Sequence, residues 1–342
     1  MRETLVDLVL RENLQVISVV GLGKNTGKTT TLLYLVKHLG VGSGVLALTS
    51  TGRDGEAVDE ITRKEKPRVA IAPGTLATTS ERSLEQGRGL SRVKDTRYVT
   101  ALGRIVIVRA DLKGQVILEG PATVSETGEL ASSLIREEGA LRVIIDGSLD
   151  RIAVATPDVS EGIVLATGAV LGPDIETVLS KTRHSAGLLM TERTNVVPPH
   201  PSGVPRFFAT SADGAQWEVH EGSAISDPGR MVGSLGRGGG LVFISGAVSD
   251  GLLEALMAER LFPAVIVPDA TRLFVSERAY AMFLAGGGKI EVEREIRLIA
   301  ITINPHNPEG VGFEPVRFLE AMRAGIPALP IFDVLSEEKG GV

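Results

Sequence analysis

Apolar residues along the chain alternate between short unbroken runs and helical stripes, in an order that keeps repeating. The run Leu14 to Val20 (LQVISVV) predicts a buried strand. A glycine-rich stretch follows, and then TTTLLYLVKHLG, in which Leu32, Leu35, Val36 and Leu39 share one helical stripe and Gly40 stands as a C-cap. Gly44 to Thr49 reads as a second strand and Val69 to Ala72 as a third, with a helix expected over Thr78 to Leu84. Two β-rich runs, RIVIVRA and GQVILEG, flank Asp111-Leu112-Lys113, and a helix is expected from Ser125 to Glu137. Leu141 to Gly147 and Gly162 to Gly168 are further strands, with a helix from Asp174 to Lys181. At the amino terminus Leu5, Leu8 and Val9 are spaced for a small amphipathic helix.

The rhythm breaks between Asn195 and Pro205, where Pro198, Pro199, Pro201 and Pro205 mark a linker or long loop. It resumes with strands at Leu241–Ile244, Val265–Val267, Leu298–Thr302 and Ala328–Phe332, and helices at Gly251–Glu259, Glu277–Leu284 and Pro315–Ala324. Strand and helix in alternation predict an α/β fold built on a doubly wound, mostly parallel sheet. The proline cluster predicts a first domain over 1–195, a connection over 196–206 and a further α/β half over 207–342.

Composition narrows the function classes. Net charge is −6 with no polybasic block, so neither nucleic acid nor an anionic membrane surface has electrostatic support as a partner. There are no cysteines, which excludes disulfides, Cys-ligated Fe–S clusters and thiol catalysis. The N-terminal MRETLVDLVLREN lacks the apolar core of a signal peptide, and no apolar run approaches the ~18 residues that span a bilayer. A cytoplasmic protein is the expectation. The five histidines show no metal-ligand spacing.

The chemistry sits in Gly21-Leu22-Gly23-Lys24-Asn25-Thr26-Gly27-Lys28-Thr29-Thr30, between a strand and a helix. That order is the context a phosphate-binding loop requires: backbone N–H groups converge on an anion where side chains would block the approach, and the helix directs its positive end to the same place. Residues 23–30 are the candidate nucleotide-binding set, with Lys28 as a point charge on the terminal phosphates and Thr29 as a hydroxyl ligand to Mg2+. The strict pattern wants glycine at position 22, where this chain has leucine. Asp54, after the second strand, is a candidate to hold Mg2+ or orient an attacking water, and so to act in catalysis with Lys28. Asp146, ending the strand Leu141 to Gly147, is a candidate metal support, with Glu119 as its rival. No Asn-Lys-x-Asp segment reads guanine, so ATP is the default nucleotide.

The loop, Asp54 and Asp146-Gly147 together resemble the SIMIBI branch of P-loop NTPases, in the manner of dethiobiotin synthetase. In that branch a signature lysine stands five residues before the loop lysine; here Gly23 occupies that position and Lys24 the next. A second resemblance spans most of the chain. Thr51 to Glu56, Asp146 to Arg151, Leu165 to Ala169 and Pro330 to Val334 are similar to accessory subunits found with cobalamin-dependent lysine/ornithine aminomutases. This similarity implies a Mg–ATP-dependent reactivation factor that expels damaged cobalamin from a partner enzyme. A small-molecule ligase or kinase of the dethiobiotin synthetase type, and a nucleotide-binding regulator with little turnover, remain open alternatives. Whether the chain forms a homo-oligomer is also open.

Overall fold

The computed structural model describes residues 3–40, 44–51, 68–147, 152–197, 207–210, 217–220, 224–233, 235, 240–308 and 310–338. They form two compact units, one from 1–183 with 298–342 and one from 184–297. The first unit begins with α1 (Leu5–Arg11), β1 (Val16–Gly21), α2 (Lys28–Leu39), β2 (Leu46–Ser50), β3 (Val69–Ile71) and β4 (Leu76–Ser80). It continues with α3 (Glu81–Leu84), β5 (Arg88–Thr100), β6 (Gly103–Val116), α4 (Val124–Arg136), β7 (Arg142–Asp146), β8 (Gly162–Gly168) and α5 (Ile175–Leu189). The last turns of α5 carry the chain into the second unit.

That unit contains β9 (Phe207–Thr210), β10 (Trp217–His220), α6 (Pro228–Gly233), β11 (Leu241–Ile244), β12 (Val248–Ser249) and α7 (Asp250–Ala258). β13 (Ala264–Val267), β14 (Leu273–Phe274), α8 (Glu277–Ala285) and β15 (Lys289–Val292) complete it. Its main sheet runs β10-β9-β11-β13-β15, parallel across β11, β13 and β15 and antiparallel where β9 joins. Phe208, Phe243 and Ile266 form its apolar centre, with Trp217 and Leu241 packed against them. The chain then returns to the first unit as β16 (Leu298–Asn304), α9 (Pro315–Gly325), β17 (Ile331–Phe332) and α10 (Val334–Glu338).

The first unit is an α/β structure around one large, mostly parallel sheet. Among the described residues its order is β17-β16-β8-β1-β7-β2-β4-β6-β3, with β5 on β6. Pairing is parallel from β17 through β4 and antiparallel where β6 meets β4, β3 and β5. Every residue of β1, β2 and β8 is buried, which is why these strands read as continuous apolar runs rather than as alternations. α1 starts at a capping box between Thr4 and Asp7, buries Leu5, Leu8 and Val9, and packs on α2. α2 in turn buries Leu32, Leu35, Val36 and Leu39, the predicted stripe.

Three expectations change. The helix expected over Thr78 to Leu84 begins late: β4 takes Leu76 to Ser80, and Glu81–Leu84 is helical. Thr78 and Thr79 are β-branched and fully buried, and Ser80 caps the short helix, so packing in the sheet overrides the helical spacing. The first β-rich run and the start of the second, through Val116, are one strand, β6, paired with the unpredicted β5. Finally, the residues after the proline cluster do not stay together: β16 pairs with β8, so 298–342 belongs with the first unit. Residues 198–206 of the predicted linker lie outside the described residues.

The carboxy-terminal helix α10 packs on α2, where the Tyr34 hydroxyl donates to Glu337 Oε2 at 2.5 Å and Lys37 pairs with Glu338 at 3.1 Å. Burial raises the Glu337 carboxyl above its ordinary range, partly offset by the Tyr34 hydrogen bond. A carboxyl that holds its proton more tightly when folded loses stability as pH rises through its folded value. Glu337→Gln keeps an acceptor for Tyr34 and cannot ionise. Urea unfolding at several pH values should show the variant losing less stability than the wild type between mildly acidic and neutral pH. Parallel pH profiles would contradict this.

Candidate functional site

β1 ends at Gly21 in the centre of the sheet, between β7 and β8. The loop that follows is fastened on several sides. The Leu22 N–H donates to the Ala166 carbonyl of β8 at 3.0 Å, so the residue that departs from the strict glycine pattern extends the strand ladder by one bond. The buried Thr26 hydroxyl donates to the Gly23 carbonyl at 2.9 Å and closes the loop on itself. A Cβ at Gly23 would lie 2.9 Å from Leu171 Cδ2, so a side chain there would displace the end of that leucine. Asn25 and Gly27 are left-handed, with φ of 61° and 92°. Asparagine tolerates that region and glycine adopts it freely.

Gly27 is the N-cap of α2, and no side chain caps that helix end. Its first N–H groups, which have no intrahelical partners, therefore stand at the loop with the positive end of the helix dipole. Lys28, Thr29 and Thr30 form the first turn and are half-buried. Lys24 is also half-buried.

Because β1 and β7 are direct neighbours, with Val19 opposite Asp146, the first turn of α2 comes beside the end of β7. Lys28 Nζ donates to Asp146 Oδ1 and to the Gly147 carbonyl, each at 2.5 Å. The two side chains are 17% and 24% exposed, sheltered enough for the pair to be stronger than an exposed surface bridge. On its other side β7 meets β2, whose Ser50 hydroxyl donates to the Asp146 carbonyl at 3.2 Å. The loop lysine and the strand-end aspartate, 118 residues apart in sequence, are thus brought together.

Glu119 is placed differently. It lies beyond the end of β6, is 5% exposed, and its Oε2 accepts the Ser80 N–H at 2.9 Å. Its main chain exchanges bonds with Thr78, whose hydroxyl also meets that of Thr49. This carboxylate holds the end of β4. Asp54 lies outside the described residues. Among the described residues no group of three or more His, Asp and Glu side chains could hold a metal ion.

Two neighbours of the loop come from β16. Thr31 of α2 and Thr302 share a hydroxyl hydrogen bond of 2.7 Å, and Asn304 Nδ2 donates to the Asn25 carbonyl at 2.7 Å. The only sequence signal for Asn304 was its place at a strand end, before Pro305-His306-Asn307-Pro308.

No family model, no curated protein and no solved structure matches the chain.

Gly27→Ala tests the loop geometry directly. It forces a side chain into the left-handed region, at about 1–2 kcal/mol, and places its Cβ 2.8 Å from that of Asn304. Urea unfolding should show a loss of about 2 kcal/mol or more with the m-value unchanged. A loss below ~0.5 kcal/mol would mean that the loop readily adopts another path.

Proposed function

We propose that this chain is a Mg–ATP-binding ATPase of the P-loop, SIMIBI-like type, whose hydrolysis drives conformational work on a partner protein. The observation that carries the reading is the pair of hydrogen bonds that Lys28 Nζ donates, to Asp146 Oδ1 and to the Gly147 carbonyl, at a strand–loop–helix junction with an uncapped helix start. A lysine in the first turn after a glycine-rich loop, beside an aspartate at the end of the adjacent strand, is the charge arrangement that nucleoside triphosphate and Mg2+ require.

The residues present fit that ligand. Gly23 and Gly27 keep side chains out of the loop wall, and the N–H groups of residues 23–30 are the donors that would hold phosphate. Lys28 would exchange the Gly147 carbonyl for phosphate oxygen. Thr29 would supply a hydroxyl to Mg2+, and Asp146, relieved of the ammonium, would support the same ion directly or through water. Asp54 is assigned to metal or water positioning from the sequence alone. Bound Mg2+ supplies neutralisation of the charge that develops during phosphoryl transfer.

The partner rests on the resemblance to accessory subunits of cobalamin-dependent aminomutases. On that reading the protein works in the cytoplasm, the second unit offers the partner-binding surface, and the enzyme it reactivates stimulates a weak basal ATPase. Phosphate release measured with and without an aminomutase carrying inactivated cobalamin tests this. Stimulation supports it, whereas turnover that requires a small carboxylic acid or amine would favour the ligase alternative.

Two variants test the site by calorimetry. Lys28→Ala should lose more than about tenfold in Mg–ATP affinity while remaining folded, since a charge-assisted hydrogen bond is worth about 1.5–3 kcal/mol. Asp146→Asn should weaken binding of Mg–ATP more than binding of metal-free ATP. Unchanged affinity in the first, or equal effects in the second, would remove these residues from the roles assigned.

A further inference from the structure

We propose that Asn304 is a positioning residue of the phosphate loop, holding the peptide between Asn25 and Thr26 in the orientation that anion binding needs. The inference rests on the phosphate-loop reading and adds to it a residue far from the loop in sequence. Asn304 ends β16, opposite Gly168 of β8, and touches the loop in more than one way. Its Nδ2 donates to the Asn25 carbonyl at 2.7 Å, and its Cβ lies against Gly27, where an added Cβ would approach it to 2.8 Å. Its Oδ1 accepts the His306 N–H at 3.2 Å, which orients the amide so that the nitrogen faces the loop. Asparagine here is bound at both ends of its amide.

The consequence follows from peptide geometry. In a planar trans peptide the C=O and the following N–H point in opposite directions. With the Asn25 carbonyl turned to Asn304, the Thr26 N–H is turned away from β16. A loop that binds phosphate through its backbone must present N–H groups and keep carbonyl dipoles back, because one flipped peptide places a partial negative charge against the anion. That peptide turns about ψ of Asn25 and φ of Thr26, and the hydrogen bond to the Asn25 carbonyl opposes the turn, in a loop whose Asn25 is itself held at φ 61°. Asn304 supplies that restraint from a strand that reaches the loop only after the 184–297 unit has intervened in the chain.

The test is calorimetric titration of the full chain with Mg–ATP, for the wild type, Lys28→Ala, Asn304→Ala and Asn304→Asp. Asn304→Ala retains the Cβ packed on Gly27 and deletes only the amide. It should weaken affinity by about tenfold with an unchanged binding stoichiometry, because a smaller fraction of folded molecules holds the competent loop. Asn304→Asp, which sets a carboxylate against the Asn25 carbonyl, should weaken it further. Amide exchange at residues 25–27 should quicken in Asn304→Ala while exchange in β1 and β8 stays unchanged. Wild-type affinity in both Asn304 variants, with Lys28→Ala impaired, overturns this role and leaves the nucleotide site standing. So does a reduced stoichiometry at unchanged affinity, which is the signature of a purely structural residue. A wild-type chain that fails to bind Mg–ATP overturns both.

Discussion

The contact of Lys28 with Asp146 and Gly147 depends on nearly everything else in the first unit. It requires β1 and β7 to be nearest neighbours in parallel register, so that both end on the same side of the sheet. It requires the turn after β1 to reverse within a few residues, which left-handed Asn25 and Gly27 allow. It also requires α2 to begin at Lys28 rather than a residue later, since each residue rotates a helical side chain by about 100°. The apolar stripe of α2, packed over the sheet, sets that rotation. An ammonium so sheltered needs oxygen partners, and the end of β7 provides them.

Features written locally were legible in the sequence. The loop, its flanking strand and helix, and the strand ending at Asp146 could be read because each is a short stretch with one periodicity and a clear stop. β4 was misread because its threonines and serine carry no apolar alternation, and only their burial beside β2 makes them a strand. β5 was invisible for the opposite reason. It is an edge strand whose residues are largely exposed and charged, including Arg88, Arg92, Lys94 and Arg97, which guard an edge without signalling one. Glu119 and Asp146 looked alike as acidic strand ends, and only their partners separate them: a backbone amide for one, a lysine for the other. Asn304 carried only its place at a strand end as a local signature, because what defines it lies 279 residues away at Asn25.

The helix that follows the loop is also held from the opposite terminus of the chain. Tyr34 and Lys37 of α2 take their partners from α10, while Thr31 takes its partner from β16. The element that opens the candidate site is therefore buttressed by segments 271 to 303 residues away in sequence, and α1 also packs on it. Changes in the helix would reach β16 and α10 through hydrogen bonds between named side chains.

The insertion of one unit between adjacent strands of another has a consequence during synthesis. β8 leaves the ribosome with its β16-facing edge unpaired, and at about 5–20 residues per second its neighbour follows only on the order of ten seconds later. In that interval the nascent first unit carries a wholly buried-type strand open along one side, the kind of edge that invites pairing with other chains. The inserted residues can collapse around Phe208, Phe243 and Ile266 while the earlier sheet waits. Assembly of the parent sheet is thus coupled to completion of its guest, and the loop gains its Asn304 contact only after the inserted unit has been translated.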